Sequence, residues 1–491
     1  MKRNVKVFLV VCLSFVYLLG VTSCKKTETF NKNVLRIYNC QDYIDEGLDS
    51  DTGEKIGPSV MERWKEDFEF RHPGRKVTVV YDTFETPEYM LNQIKTGKKF
   101  DLICPSDYTI QKMIKDDMLE KFDKGALSGE NNYLSNASPY LINLFAENDW
   151  TEYAACYMWG TLGIIYNTEI VNEEDVKYWN AMWNEKYKGI ATAKDSVRDT
   201  YFMGVMYTHQ EELLKYRNDY LNGVITSEEY NVKINEVANL TDDNTIETVR
   251  QNLKKLKDNI FGLEVDSGKS DIITGKIAMS LAWSGDAVYS MDLAEEKGVT
   301  LAYSVPEEGS NVWFDGWCMP KGANKELAQD FINFVSRPDI AALNMDVTGY
   351  TSAVVGDDIF DLINDWYGSD ADDATEVDLS FFFGDSVDSS KLTNGKVIIK
   401  TDEIGRQFSA QYPTEEILAR CGVMRDFGDQ NKKVLRMWMN FKSNSLDPVA
   451  IILLCLLAFV IIASYVIFLI KRLNKKKRIK NYQKAKIQQQ N

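Results

Sequence analysis

Histidine is almost missing: His72 and His209 are the only two in 491 residues. That scarcity removes H-E-x-x-H sites, most other zinc sites and a histidine base for a serine or cysteine nucleophile. His72 closes a helical pattern before Pro73, and His209 sits in a polar helix, both solvated positions. Cysteine is sparse and unpatterned. Between the chain ends it occurs at 40, 104, 156, 318 and 421, without C-x-x-C spacing. Neither a zinc knuckle nor a disulfide framework is expected, although one disulfide stays open. The thiols read as small buried hydrophobes. Other catalytic signatures are incomplete. Ser284 in Ala282-Trp283-Ser284-Gly285 lacks the preceding glycine of a nucleophile elbow. Gly262 stands one residue too far from Gly268-Lys269-Ser270 for a phosphate loop. Asp370, Asp372, Asp373, Glu376 and Asp378 lack EF-hand spacing and its central glycine, and read as a solvated acidic loop. No fixed-period repeat occurs. An enzyme, a metal site and a cofactor site are all unexpected.

The ends of the chain are not part of the fold. Lys2, Arg3 and Lys6 precede an apolar run from Val7 to Val21, and Thr22-Ser23 lead to Cys24. Residues 1–24 therefore read as a secretory leader of the lipoprotein type, with Cys24 as the lipidation site. Near the other end, Val449 to Ile470 is an uncharged apolar run. Roughly 20 such residues cross a hydrocarbon core of about 30 Å. Nine lysines and arginines follow it within 471–491, with no acid among them. Residues 449–470 are expected to be a transmembrane helix and 471–491 a cytoplasmic tail. Everything between then faces outward, on the periplasmic side of the cytoplasmic membrane. Formal charge is −16 overall. Three positive charges sit in the leader and nine in the tail, which leaves about −28 between them. Such a surface repels nucleic acid and favours cationic partners.

The intervening segment alternates strand and helix. Val34–Asn39, Lys76–Tyr81 and Phe100–Cys104 read as strands, Met61–Phe70 and Pro87–Lys95 as helices, and Ser106 as a helix cap. This order argues for a parallel sheet covered on both faces, with ligands at the carboxyl ends of its strands. The pattern resumes with strands at Leu162–Tyr166, Gly189–Ala193, Ile277–Ala282 and Thr300–Val305. Helices are expected at Trp179–Trp183, from Asp195, and at Lys325–Val335, with a surface helical insertion over about 210–259. Two α/β lobes with a cleft between them fit this length.

Aromatic and acidic residues recur at the strand ends. They are Tyr38 to Tyr43, Pro105 to Tyr108, Asp195 to Asp199, Ala282 to Gly285, Trp313 to Gly316 and Gly349-Tyr350. In this order the segments resemble the spermidine/putrescine-binding proteins of ABC importers, over about Val34 to Asn440. The resemblance implies an α/β, two-lobed periplasmic binding protein fold of type II, each lobe a doubly wound mixed sheet. Lobe 1 would comprise 33–153 and 311–352, and lobe 2 would comprise 154–310 and 353–443. Chain crossings would fall near Ala154, Ser310 and Ser352. It further implies no catalysis, a polyamine ligand such as putrescine or spermidine, and ABC permease subunits as partners.

Carried over residue by residue, Trp283, Trp313 and Tyr350 would form an aromatic box with Tyr43 and Tyr108. Asp199 and Asp315 would take ammonium groups, while Ser106 and Gln41 would add polar contacts. Arg198 is expected to be structural, since a cation facing the ligand would repel it. The sequence departs from the family's pattern at Cys40, often Trp, and at Asp199, which replaces Glu. Ser196 stands where some members have a second acid, for which Asp195 could substitute, and a late Gln falls near Met424. Two alternatives share the fold: a membrane-tethered sensor, and a receptor for a ligand other than a polyamine. Only about 20 residues follow the apolar run, so a sensor would need a partner to signal.

Overall fold

A computed structural model describes residues 32–443 except 50, 51 and 266, with a few positions between 456 and 472. The leader with Cys24 lies outside the described residues, as do nearly all of 449–470 and of 471–491. Among the described residues no helix is long and apolar enough to cross a membrane.

The opening β-α-β-α-β alternation folds as its periodicity predicts. β1 (Val34–Cys40) pairs in parallel with β2 (Thr78–Phe84) and with β3 (Leu102–Ile103). α1 (Val60–Arg71) starts at a capping box. Ser59 accepts the Glu62 amide and Glu62 accepts the Ser59 amide, which satisfies two N–H groups left over at the helix start. α2 (Pro87–Lys95) begins on a proline whose fixed φ suits a first turn. α3 (Asp107–Lys115) follows β3, with Ser106 at the cap position. The Ser106 hydroxyl makes no capping bond there; the Tyr108 amide donates to Asp107 Oδ1 instead.

Beyond α3 the chain enters β4 (Ala154–Asn167), a fourteen-residue strand buried throughout. Four short strands follow: β5 (Ala191–Lys194), β6 (Gly262–Glu264), β7 (Met279–Trp283) and β8 (Leu301–Ser304). The long β9 (Ser310–Pro320) then returns antiparallel to β4. The main strand order is β2-β1-β3-β9-β4-β7-β5-β6. β4 changes partners along its length. Ala154 to Thr161 pair with β9, and Leu162 onward with β7 and β8. The change of partner falls at Thr161–Leu162, inside a strand buried throughout that carries no polar break to mark it.

α4 (Val197–Thr208) is followed by α5 (Gln210–Leu221), α6 (Ser227–Ala238) and α7 (Asp243–Asn259). The last three were expected to form a surface insertion. They instead bury Leu213, Tyr230, Ile234, Val249, Leu253 and Leu256 in a shared core with α4 and β5. Abundant charge masks the narrow apolar stripe, yet each fully buried side chain of this size contributes about 1.5–3 kcal/mol. α8 (Ser284–Glu295) leaves β7 directly, and α9 (Lys325–Val335) stops before Pro338 opens α10 (Pro338–Thr348). A second core, with Leu35, Ile37, Trp64, Phe68 and Phe331, covers one face of the first strands. A third runs along β4 and β9 through Cys156, Trp159 and Phe314, and joins Tyr38 to Val288 and Phe382.

Candidate functional site

The predicted segments converge where β1, β3, β7 and β9 meet the starts of α3, α4 and α8. Asp315 lies within β9 at a register shift between itself and Gly316. Such a bulge bends a strand and re-aims a side chain. A backbone bridge joins Asp315 to Ser106. Asp315 is 7% exposed. Its Oδ2 accepts the Tyr43 hydroxyl at 2.7 Å, and its Oδ1 is buried without a hydrogen-bond partner among the described residues. Burial, with a lesser contribution from the Asp199 charge, pushes its carboxyl up to about 6.

Asp199, in the first turn of α4, is 8% exposed. Its amide donates to the Ser196 hydroxyl at 3.3 Å, which makes Ser196 the helix cap. Its Oδ1 accepts the Trp283 indole N–H at 3.1 Å. Burial also raises this carboxyl. Neither Asp199 nor Asp315 has a lysine or arginine within ion-pair distance among the described residues.

The rings stand around these two acids. Tyr43 meets Tyr350 and Tyr157 edge-on, with centroids 5.3 and 5.6 Å away. Trp313 meets Tyr350 edge-on at 5.6 Å. Edge-to-face pairs of this kind add about 0.5–1.5 kcal/mol beyond burial and hold each ring's direction. The Tyr157 hydroxyl donates to the Tyr43 carbonyl at 2.9 Å, the Trp313 indole to the Thr161 carbonyl at 3.1 Å, and the Tyr350 hydroxyl to Asp286 Oδ1 at 2.7 Å.

Two glycines make room for the rings. A Cβ on Gly160 would lie 2.7 Å from the Trp313 ring, and one on Gly285 would lie 2.4 Å from the Tyr350 ring. Gly285→Ala is therefore expected to push Tyr350 off Asp286 and to cost about 1–3 kcal/mol of stability, as overpacking does. A lower denaturation midpoint would record this; an unchanged midpoint would mean that the ring yields freely.

Not every predicted residue joins the group. Tyr108 stacks under the Arg198 guanidinium, whose Cζ is 4.1 Å from its centroid and 3.8 Å from that of Phe427. Arg198 also donates to the Arg425 carbonyl at 2.6 Å, in keeping with a structural role. Asp195 is paired with Lys442 at 2.6 Å and so does not serve as a second open acid. Gln41 is exposed on the turn after β1, beside Asp42 at φ 52°. Cys40 is half-buried at the end of β1. Met424 is buried, and its carbonyl accepts from Gln111 at 2.9 Å.

Four contributors escaped the sequence reading. Tyr157 lies inside β4, where alternation gives no hint of a role. Asp286 directly follows Ala282 to Gly285, and Lys194 lies one residue past the expected strand Gly189–Ala193; neither stands out without its packing. Asp107 lay inside a quoted segment as a mere spacer. It is 2% exposed, with Oδ2 lacking a hydrogen-bond partner among the described residues, and burial pushes its carboxyl well up. That favours its protonated form.

A family model for bacterial extracellular solute-binding proteins matches residues 63–356. A spermidine/putrescine-binding periplasmic protein of Escherichia coli K12 is 28% identical over 324 residues, covering 65% of this chain and 77% of its own. A putrescine-binding periplasmic protein of the same strain is 26% identical, over 67% of this chain and 80% of its own. Among solved structures, a spermidine/putrescine substrate-binding protein from Streptococcus pneumoniae superposes with a TM-score of 0.54 at 24% identity. That match covers 84% of this chain and 98% of the other. A lipoprotein of Treponema pallidum superposes with a TM-score of 0.55 at 18% identity, over 83% and 99%. These likenesses carry the mixed α/β periplasmic-binding-protein fold. With more than half of its length matched by the family model, this chain belongs to the bacterial extracellular solute-binding proteins.

Proposed function

We propose that the chain captures a polyamine and delivers it to the permease of an ABC importer. The observation that carries this reading is the pair Asp199 and Asp315. Both are buried carboxyls without a cationic partner among the described residues, and both are bonded to ring residues of the box. An acid buried in this way is costly unless a cation arrives to pair with it. A polyamine supplies ammonium groups joined by methylenes. Ring faces cover the methylenes and attract the cations, at about 0.5–2 kcal/mol per contact. Carboxylates take charge-assisted hydrogen bonds from the ammoniums, and the spacing of the acids measures the length of the amine.

In this reading residues 33–153 with 311–352 form one lobe and 154–310 with 353–443 the other. β4 spans this division, pairing with β9 up to Thr161 and with β7 from Leu162. Closing the lobes over a ligand removes water and strengthens each pairing. Cys24 carries a lipid, residues 449–470 cross the cytoplasmic membrane, and 471–491 stay inside. The receptor is thus held beside its permease on the periplasmic face, which raises its effective concentration there. Calorimetric titration of the full chain with putrescine, cadaverine, spermidine and spermine tests the ligand class, with butane-1,4-diol as an uncharged control. Saturable heat from an amine and none from the diol is expected; equal behaviour of the two would remove the polyamine reading.

A further inference from the structure

Against the Trp283 ring the chain holds a cation of its own. Lys194, the last residue of β5, is 2% exposed. Its ammonium donates to the Val265 carbonyl at 2.9 Å and to Asp286 Oδ2 at 3.1 Å, and lies 3.2 Å from Glu264 Oε1. The same nitrogen stands 4.4 Å from the centroid of the Trp283 ring. Carboxylate, carbonyl and ring face are the three partners a ligand ammonium seeks, and here an internal side chain fills all of them.

The surroundings are built for this arrangement. Lys269 Nζ lies 3.4 Å from Asp286 Oδ1, and the Gly268 amide donates to Glu264 Oε2 at 2.8 Å. A Cβ on Gly268 would lie 2.6 Å from the Glu264 carboxyl, so only glycine admits that approach. Two lysines therefore face two acids in contact with Trp283 and Tyr350. Burial would raise the Asp286 carboxyl, but Lys194 and Lys269 outweigh it and hold the group below the ordinary range. The Tyr350 hydroxyl bonds to this same Asp286, so two rings of the box rest on one ionic group.

We infer that Lys194 is a positioning residue that limits how many ammonium groups the site accepts. By occupying one face of Trp283 and the carboxylates of Asp286 and Glu264, it leaves Asp199 and Asp315 as the charged stations for a ligand. The site then favours a diamine over a triamine, whose third ammonium finds its station taken. This deepens the polyamine reading and rests on it. Asp107 is held differently: its Oδ1 accepts the Tyr108 amide at the start of α3, and burial pushes its carboxyl up. Removal of the Lys194 charge would uncover one negative charge beside the ring.

Titrating the full chain with putrescine and with spermidine tests the inference. The unaltered chain is expected to bind putrescine at least tenfold more tightly. Lys194→Met should raise the spermidine-to-putrescine affinity ratio at least tenfold, whereas Lys194→Arg should leave it within twofold. A merely structural lysine would lower both affinities together, and that result overturns the inference. Spermidine binding to the unaltered chain as tightly as putrescine overturns it too, even if Lys194→Met fails to fold. Binding of neither amine to the unaltered chain removes the polyamine reading itself, and this inference with it.

Discussion

Asp315→Asn is expected to weaken putrescine binding by about a hundredfold while leaving the ligand-free chain at least as stable at neutral pH. The two halves of this result have one cause. The carboxylate is buried and touches no cation among the described residues, so the empty chain carries the cost of hiding a charge. An amide has nearly the same shape, and its oxygen can still accept the Tyr43 hydroxyl. What it cannot do is pair with an ammonium. A hundredfold loss corresponds to about 2.7 kcal/mol, within the range of charge-assisted hydrogen bonds to a buried group. Calorimetry gives the affinity, and thermal unfolding without ligand gives the stability. An affinity within threefold of the original would place the ligand's charge elsewhere.

The second large effect is on pH. Binding is expected to weaken about tenfold between pH 7 and pH 5. Burial, and then the charge of Asp199, lift the Asp315 carboxyl to about 6, so below that value the empty site holds a proton there. An arriving ammonium must expel it, and affinity falls by up to tenfold per pH unit on the acid side. Asp199, also raised by burial, acts in the same direction. Stability of the empty chain slopes the other way. Between about 4 and 6 the folded chain keeps a proton that the unfolded chain has already lost, so stability falls as pH rises across that window and then levels off. Both slopes should become shallower in Asp315→Asn, with the remainder carried by Asp199. Proton release can be read directly by repeating the calorimetry in buffers of different ionisation heat.

The β-α-β alternation was legible because proline placement and periodicity agreed there. Pro87 at a helix start sets a boundary that the structure keeps, whereas the Ser59–Glu62 box that starts the first helix one residue before Met61 went unread. The helices from Gln210 to Asn259 were located but misjudged as surface, since a stripe of Leu and Val every three or four residues is hidden among charges. Within the site, residue types at strand ends were readable, whereas ionic partners were not. Nothing in the sequence links Asp195 to Lys442, 247 residues away, or Lys194 to Asp286. Long-range pairs of that kind depend on how separate elements dock, and local spacing carries no trace of them. Tyr157 was invisible for a simpler reason: inside a strand buried on both faces, an inward tyrosine looks like any other apolar residue.

The bulge in β9 has a further consequence for how this chain can change over time. On one side of it the strand presents Trp313 and Asp315; on the other, Trp317 begins a run packed into the core. Loss or gain of one residue between them would exchange the strand's two buried faces along its remainder, so that each core would receive the other's side chains. Drift in amine preference is therefore confined to exchanges of side chains, because insertions and deletions at this point would unmake the lobe before they could reshape its cargo.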